Sequence, residues 1–330
     1  MIRLLLLLTG AVTLCVLVWH IGPMHIYDTV TQLGPLALGV MLLPSVVMYL
    51  VEAYGWEVAL RAMDQRVPFI RLLAIRMAGE VVNMTTPTAY VGGEPLKAYL
   101  LQADRVPMVH GLASVVIAKT TMTVAQIAFI LIGIGLGVWA LGADRSSGQM
   151  AVAALLSAGL LGVGVAAFIF VQRRGLFTWM LGILRALRLR IPFLESREEQ
   201  LHSLDRTILG FYTDHQAAFY TSAGLYLVGW LAEALEVFVI IILLGEPAFW
   251  WSALSIGALS VFIKGGTFFI PGSLGAQDAG NLLLFQAFGY SDVAGISFAL
   301  LRRFRELVWI GVGLICLTVI GNRKKWNQIG

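Results

Sequence analysis

The sequence NMTTPTAYVGGEP, residues 83–95, interrupts an otherwise apolar stretch at about residues 72–104. A second interruption, KGGTFFIPGSLGAQD at residues 264–278, breaks the apolar stretch at about 251–289. Proline and paired glycines end helices, and backbone freed inside a bilayer is tolerated only where protein or a wet cavity surrounds it. Each stretch is therefore predicted to form a re-entrant helical hairpin with a broken tip.

One offset of 184 residues relates the two interruptions and the sequence around them. The matched pairs are Pro87 with Pro271, Glu94 with Asp278, Gly111 with Gly295, Lys119 with Arg303 and, upstream, Glu52 with Glu236. Charged residues are rare inside apolar segments and usually functional. The matches indicate an internally duplicated membrane protein whose repeated charges mark its working site.

The composition excludes a soluble globular protein. Of 330 residues, 58% are hydrophobic and only 13% are charged, and the mean hydropathy is +0.83. A soluble domain is nearer 45–50% apolar. Apolar runs long enough to cross a bilayer lie at about 3–21, 34–60, 108–140, 149–172, 217–244 and 291–321. The predicted fold class is an all-α polytopic membrane protein with about six full transmembrane helices plus two re-entrant helical hairpins in an inverted repeat.

The basic residues predict the orientation. They flank the first hairpin (Arg61, Arg66, Arg71, Arg76, Arg105), fill the connection from Arg173 to Arg206, and close the chain (Arg323, Lys324, Lys325), whereas the opposite loops contain only Arg145. By the positive-inside rule both termini are cytoplasmic. The first hairpin then enters from the cytoplasm and the second from the opposite side. We expect a multi-pass protein of the bacterial inner membrane.

One membrane domain, residues 1–330, accounts for the whole sequence. Its first repeat covers about 34–140 and its second about 217–321. The connection at about 173–215 is apolar and basic, which suits a helix on the inner membrane face; a simple linker is the alternative.

Charged and glycine residues of the repeats are the candidate substrate-binding groups. Lys119 and Arg303 each lie about a dozen residues into a span, so they approach the midplane from opposite sides as ligands. The alternative is that they form structural ion pairs with Glu94, Asp278 or Glu306. Glycines at the hairpin tips let backbone amides approach an anion. The candidates are Lys97, Lys119, Lys264, Arg302, Arg303, Arg305, Glu94, Asp278, Gly92, Gly93 and Gly272.

Other chemistry has little support in the sequence. The five histidines are scattered, and none has a partner at metal-ligand spacing. We expect no catalytic residue, no metal and no cofactor. The expected partner is a membrane lipid and not nucleic acid; a homo-oligomer and association with lipid-biosynthesis enzymes stay open.

The motifs resemble those of the lysylphosphatidylglycerol synthase transmembrane-region, or flippase-like, family. The similar segments are NMTTPTAYVGGEPLKAYLL at Asn83–Leu101, PGSLGAQDAG at Pro271–Gly280 and ALLRRFREL at Ala299–Leu307, with Asp278 where that family usually has glutamate. The sequence shows no aminoacyl-transfer domain, so lysyl transfer is not expected.

The resemblance implies a lipid flippase or transporter. Its lipid would be an anionic or aminoacylated phospholipid, or a hopanoid-type lipid, moved between leaflets. Two alternatives remain. One is an intramembrane lipid-modifying enzyme or biosynthetic subunit with Glu94 and Asp278 as acid and base, and the other is a small-solute transporter.

Overall fold

The computed structural model of the protein describes residues 23–86, 92–141, 162–164, 166–172, 174–186, 197–267 and 275–326, together with positions 19, 159 and 273. These ranges are helical apart from short turns and contain no strand. Their helices are α1 Pro23–Ala62, α2 Phe69–Thr85, α3 Gly93–Leu101, α4 Met108–Leu141, α5 Leu176–Ala186, α6 Glu198–Asp214, α7 Gln216–Leu243, α8 Trp250–Gly266, α9 Ala276–Ala287 and α10 Asp292–Trp326. Residues 162–164 and 166–172 are also helical.

Three helical stretches are long and apolar enough to cross a bilayer. They are Leu33–Ala62, Met108–Ala140 and Gln216–Leu243. The first begins where Gly34 breaks α1 with a non-helical φ of 77°, a conformation that glycine adopts without steric cost. These stretches match three of the six predicted spans in position, length and apolar character.

The other three predicted spans have different outcomes. Residues 3–21 lie outside the described residues, and residues 149–172 do so in part. The span predicted at 291–321 forms the 35-residue helix α10. Its first half carries three arginines and Glu306, so its crossing of the membrane stays a prediction.

The long helices present apolar side chains on their outer surface. On α7, Val228, Leu235 and Ile242 recur every seven residues and are 48%, 39% and 52% exposed. Such a stripe along one helix face is unfavourable in water and favourable against lipid. The part of the chain that the structure describes is thus helical, with helices suited to a multi-pass membrane protein.

The helices of the two predicted hairpins are short. Both α2 and α8 have 17 residues, whereas α3 has 9 and α9 has 12. At 1.5 Å per residue even α2 is only roughly 26 Å long, which is less than the ~30 Å thickness of a hydrocarbon core. After α2 the chain is extended at Thr86 (φ −112°, ψ 143°), because a residue preceding proline is disfavoured in the helical region. The tips, residues 87–91 and 268–272, lie outside the described residues.

Helices of the two halves correspond in position, and one equivalent pair, α1 and α7, runs antiparallel. Helix α4 begins at residue 108 and α10 at residue 292, which differ by 184; α2 and α8 begin at 69 and 250, which differ by 181. The contacts between α1 and α7 give the direction. Ser222 donates a hydrogen bond to the Gly55 carbonyl (2.9 Å), and Gly229 lies against Glu52. A lower number on one helix therefore meets a higher number on the other.

Each half also packs a hairpin helix onto the long helix of the other half. Helix α2 packs on α10 and α8 packs on α4. Glycines permit both approaches, since Gly313 of α10 faces Val81 of α2 and Gly133 of α4 faces Ala258 of α8. The halves thus interlock around a shared interior.

The connection predicted at 173–215 contains two helices that pack on each other, α5 and α6. Leu204, Ile208 and Phe211 of α6 are buried in a cluster with Ala113 and Ile117 of α4. On α5, Trp179 is 55% exposed. The second part of the connection is therefore packed against the helical core, whereas α5 keeps an exposed apolar face.

Candidate functional site

A cavity of about 260 Å³ lies between the two halves. Helices α1, α2 and α4 of the first half and α7, α8 and α10 of the second half supply its walls. Its ionisable lining residues are Glu52, Arg76, Glu80 and Lys119 from the first half and Glu233, Lys264 and Arg305 from the second. Four are basic and three are acidic, so the cavity has a formal charge of +1.

In the first half, a chain of ion pairs connects four helices. Arg76 of α2 pairs with Glu52 of α1. Lys97 of α3 lies 3.0 Å from Glu94 and 3.8 Å from Glu80, and Lys119 of α4 lies 3.8 Å from Glu94. Because a buried charge is costly unless it is paired, these contacts allow the ions to remain in the interior of the protein.

Asn83 supports this arrangement where α2 meets α3. Its side-chain oxygen accepts a hydrogen bond from the Gly93 amide at 2.7 Å, and its side-chain nitrogen donates to Glu94 at 3.0 Å. Asn83 thereby satisfies an amide at the start of α3 and holds the Glu94 carboxylate next to Lys97 and Lys119.

In the second half, two arginines of α10 neutralise two glutamates of α7. Arg305 lies 2.9 Å from Glu233 and 2.7 Å from Glu236, and Arg302 pairs with Glu233. Arg302 also donates to the Ser260 hydroxyl at 2.8 Å. At the 184-residue offset, Ser260 takes the place of Arg76 and Glu236 that of Glu52. Each half thus pairs its buried glutamate, Glu52 or Glu236, with an arginine. The arginine belongs to the hairpin helix α2 in the first half and to the long helix α10 in the second.

The second cluster of this half centres on Arg303. Its guanidinium lies 2.9 Å from Asp278 of α9 and 2.7 Å from Glu306. Glu306 also contacts Lys264 of α8 at 3.3 Å. Asp278 accepts a hydrogen bond from the Gly275 amide at 3.0 Å as well, so one carboxylate caps α9 and binds Arg303.

An apolar groove of about 260 Å³ adjoins the charged cavity along α4. Val115, Val116 and Phe168 supply much of its wall, and Glu94 and Lys119 lie at its polar end. Lys119 lines both the groove and the charged cavity, and its side chain is 41% exposed. Lys119 therefore lies at the boundary between the charged cavity and the apolar groove.

Comparison with known proteins places the chain in a family. The sequence profile described as "Lysylphosphatidylglycerol synthase TM region" matches residues 1–314. The chain belongs to the lysylphosphatidylglycerol synthase transmembrane-region family. It is also 24% identical, over 312 residues, to a protein named "UPF0104 membrane protein" from Methanothermobacter thermautotrophicus, covering 91% of this chain and 89% of that protein. No solved structure matches the chain.

In this family member, three of the predicted substrate-binding cations line the charged cavity: Lys119, Lys264 and Arg305. The other two arginines, Arg302 and Arg303, have side chains only 4% exposed and are not among its lining residues. Lys97 is buried between carboxylates and lines a separate cavity of about 20 Å³ with Glu94 and Lys119.

The remaining predicted site residues lie at the hairpins. Asp278 is 32% exposed and pairs with Arg303. Gly93 lies directly against Gly79 of α2, a close helix contact that a side chain would prevent. Gly92 immediately precedes α3, and Gly272 lies outside the described residues.

The candidate set from the sequence omits four charged residues of the cavity: Glu52, Arg76, Glu80 and Glu233. The assignment of Arg76 to the basic residues that flank the hairpin is wrong, because Arg76 lies within α2 and is 6% exposed. Arg76 and Glu80 are four residues apart in one apolar run, a spacing that places both side chains on one helix face. This spacing is the feature of the sequence that could have added Arg76 and Glu80 to the candidate site.

The described residues offer no arrangement suited to a metal ion, since no three or more His, Cys, Asp or Glu side chains among them are grouped to hold one. The carboxylates of the cavity face arginine and lysine instead. The donor set of the site is thus suited to an anionic or zwitterionic group.

Proposed function

We propose that this protein is a lipid flippase or lipid transporter, which moves a lipid with a phosphate-bearing headgroup between the leaflets of the cytoplasmic membrane. The observation that carries the proposal is the position of Lys119, where the charged cavity meets the apolar groove. A lipid has the same division, with a charged headgroup joined to an apolar chain. The headgroup enters the cavity while the chain occupies the groove or the surrounding bilayer.

Two lysines are the proposed headgroup ligands. Lys119 and Lys264 both line the charged cavity, their side chains are 41% and 28% exposed, and the distances to their nearest carboxylates are 3.8 and 3.3 Å. Both contacts are longer than a charge-assisted hydrogen bond of about 2.7–2.9 Å. A phosphate can therefore exchange with a carboxylate at either lysine, and the formal charge of +1 favours an anion.

The architecture supports transport through an inverted repeat. The equivalent helices α1 and α7 pack antiparallel, and the helices α2, α3, α8 and α9 are short for full crossings. We assign the two helix pairs to re-entrant hairpins that enter from opposite sides, with both chain termini in the cytoplasm. In many transporters, substrate binds at the interface of such repeats near the midplane, and the charged cavity occupies the interface of the two halves here.

The family supports a lipid as the substrate. Its description refers to a synthase of lysylphosphatidylglycerol, and the charged cavity with its apolar groove is suited to a glycerophospholipid. An aminoacylated phospholipid, which carries a cation next to its phosphate, is also compatible with Glu80 and Glu233 in the cavity wall. A hopanoid-type lipid with a polar headgroup is the further candidate.

Proteoliposomes with fluorescent lipids in one leaflet test the proposal. We expect the purified protein to move phosphatidylglycerol across the bilayer, and Lys119→Ala to slow this movement about tenfold, the effect of losing one contact worth ~1.4 kcal/mol. Lys119→Arg should retain part of the rate. Arg66→Ala, which removes an exposed cation outside the cavity, is the matched control.

Two results would contradict the proposal. One is lipid movement that is equal in the wild type and in a folded Lys119→Ala variant. The other is a chemically altered lipid, detected by mass spectrometry after incubation, which would point to the enzyme alternative.

A further inference from the structure

The ion pairs Glu94–Lys119 and Asp278–Arg303 occupy equivalent places in the two halves. Lys119 lies 11 residues after the first residue of α4, and Arg303 lies 11 residues after the first residue of α10. Glu94 and Asp278 are both in the first turn of the second hairpin helix of their half. Each half thus joins the start of its hairpin helix to its long helix by one carboxylate and one cation.

The two pairs differ in how closely they are held. Lys119 is 3.8 Å from Glu94 and 41% exposed, and it lines the cavity and the groove. Arg303 is 2.9 Å from Asp278 and 4% exposed. It binds a second carboxylate, Glu306, at 2.7 Å. The first half is therefore open at this place and the second half is closed.

Glu306 closes the second half, and the first half has no counterpart to it. At the 184-residue offset the equivalent residue is Met122, which lines the charged cavity. Glu306 also contacts Lys264 at 3.3 Å, and Lys264 lines the same cavity. Arg303 itself does not line the cavity. It is connected to the cavity wall through Glu306, which contacts both Arg303 and Lys264.

We infer that Arg303 is the cation of a second headgroup site, equivalent to the Lys119 site and closed in this conformation by Asp278 and Glu306. Its ligand is the phosphate group of an anionic lipid, which replaces a carboxylate on the guanidinium. Arginine suits this exchange because its planar donors bind carboxylate and phosphate in the same two-point manner. The lipid headgroup passes from Lys119 to Lys264 and then to Arg303. The identity of the ligand rests on the proposed function, whereas the opening of the site can be measured without it.

Paired thiol reporters at equivalent positions measure the opening. Thr123 and Leu307 each lie four residues after the cation of their half, and both are partly exposed. Each is changed to cysteine in a protein whose native Cys15 and Cys316 are replaced by alanine. The protein is placed in nanodiscs of phosphatidylglycerol or of phosphatidylcholine, and the labelling rate with a charged thiol reagent is recorded. The substitution Glu306→Met gives position 306 the side chain that the first half has at the equivalent position, Met122. We expect this substitution to open the second site.

With Glu306 present, Thr123→Cys should react faster than Leu307→Cys. Glu306→Met should raise the Leu307→Cys rate about fivefold or more, the lower end of typical coupling effects. Phosphatidylglycerol should then protect the Leu307→Cys thiol, and phosphatidylcholine should protect it less. Glu246→Gln, which removes a carboxylate bound to Ser291 at 2.6 Å on another part of the surface, should change neither rate.

Two outcomes overturn the inference. If Leu307→Cys stays unreactive in a folded Glu306→Met variant, Arg303 is a permanent structural partner of Asp278. If both lipids protect the open site equally, the site does not recognise an anionic headgroup. If the reporters respond as expected but proteoliposomes show no lipid movement, the second site stands and the transport proposal fails.

Discussion

Arg76 of α2 and Glu52 of α1 form a buried ion pair whose side chains are 7% and 2% exposed. The pair joins the first helix of the core to the first hairpin helix, in the wall of the charged cavity. Removing one partner leaves the other charge buried without compensation, whereas replacing both removes two desolvation costs. The pair therefore offers a direct test of how strongly the interior depends on paired charges.

We expect Arg76→Met to lower the free energy of unfolding by about 3–5 kcal/mol, because Glu52 is left as a buried carboxylate without its guanidinium partner. The double variant Glu52→Leu, Arg76→Met should recover most of this loss. Denaturant or thermal unfolding in detergent measures both. A double variant as unstable as the single one would show that the ion pair is not the cause.

A second prediction concerns the contact between the two helices of the first hairpin. A Cβ at Gly93 would lie 2.9 Å from the Asn83 side-chain oxygen and would press against the Gly79 backbone. Gly93→Ala should therefore destabilise the protein by about 1–3 kcal/mol through overpacking. Gly224→Ala is the control, since nothing lies within 4 Å of its Cβ and alanine raises helix propensity by up to ~1 kcal/mol. Equal unfolding midpoints for the two variants would refute the role of Gly93.

The contact between α5 and α6 should weaken in acid. Arg185 donates a hydrogen bond to Glu198 at 2.6 Å, and this hydrogen bond lowers the pKa of Glu198 from its ordinary 4.5. A lowered pKa in the folded state means that the ionised carboxylate stabilises the contact. The contribution is complete above the ordinary pKa and is lost as pH falls through the lowered one.

Trp179 provides the readout, because it lies on the same helix as Arg185 and is 55% exposed. Its fluorescence should change as pH falls below about 4.5, the unperturbed region of a glutamate. Glu198→Gln should abolish this part of the titration. An unchanged titration in the variant would assign the effect to another group.

The wall of the apolar groove depends on a buried polar cluster. Gln172 donates to the Thr120 hydroxyl at 3.0 Å and accepts from the Tyr212 hydroxyl at 3.3 Å, which ties the helical residues 166–172 to α4 and α6. Gln172→Leu removes both hydrogen bonds and should lower the free energy of unfolding by about 1–3 kcal/mol.

The same change should alter lipid movement, since Phe168 of this helix lines the groove. Thr207→Ala serves as the control, because its exposed hydroxyl bonds only within α6 (2.9 Å to the Ser203 carbonyl), and we expect an effect within about 0.5 kcal/mol. A Gln172→Leu protein as stable as the control would contradict the structural role of the cluster.

The sequence was sufficient for the positions of the main helices. Spans were predicted at about 34–60, 108–140 and 217–244 because a helix that crosses a bilayer needs about 20 apolar residues. They correspond to the helical stretches Leu33–Ala62, Met108–Ala140 and Gln216–Leu243. The sequence gave less information on α10, whose arginines are compatible with either a membrane interior or a helix end. The assignment of the hairpins to re-entrant loops also stays a prediction, because their tips lie outside the described residues.

For the site, the sequence identified the rare charges and some of their partners, since the ion pairs predicted as the alternative form between Lys119 and Glu94 and between Arg303 and both Asp278 and Glu306. It did not identify the partners of Glu52 and Glu236. The offset aligns Glu52 with Glu236, yet Glu52 is neutralised by Arg76 of the next helix and Glu236 by Arg305 of α10. Partner choice depends on which helix faces approach each other in space, and matched sequence positions do not contain that information.

By itself, the sequence determined that this is a membrane protein and predicted two related halves, because the length of apolar runs and the charges within them are local properties of the chain. Only the tertiary structure decided which charges line the shared cavity and which are held in ion pairs. Lys119 and Arg303 occupy matching positions, but the carboxylate of Glu306 is added in one half and Met122 stands in the other. Packing between distant helices therefore left one cation accessible and enclosed the other.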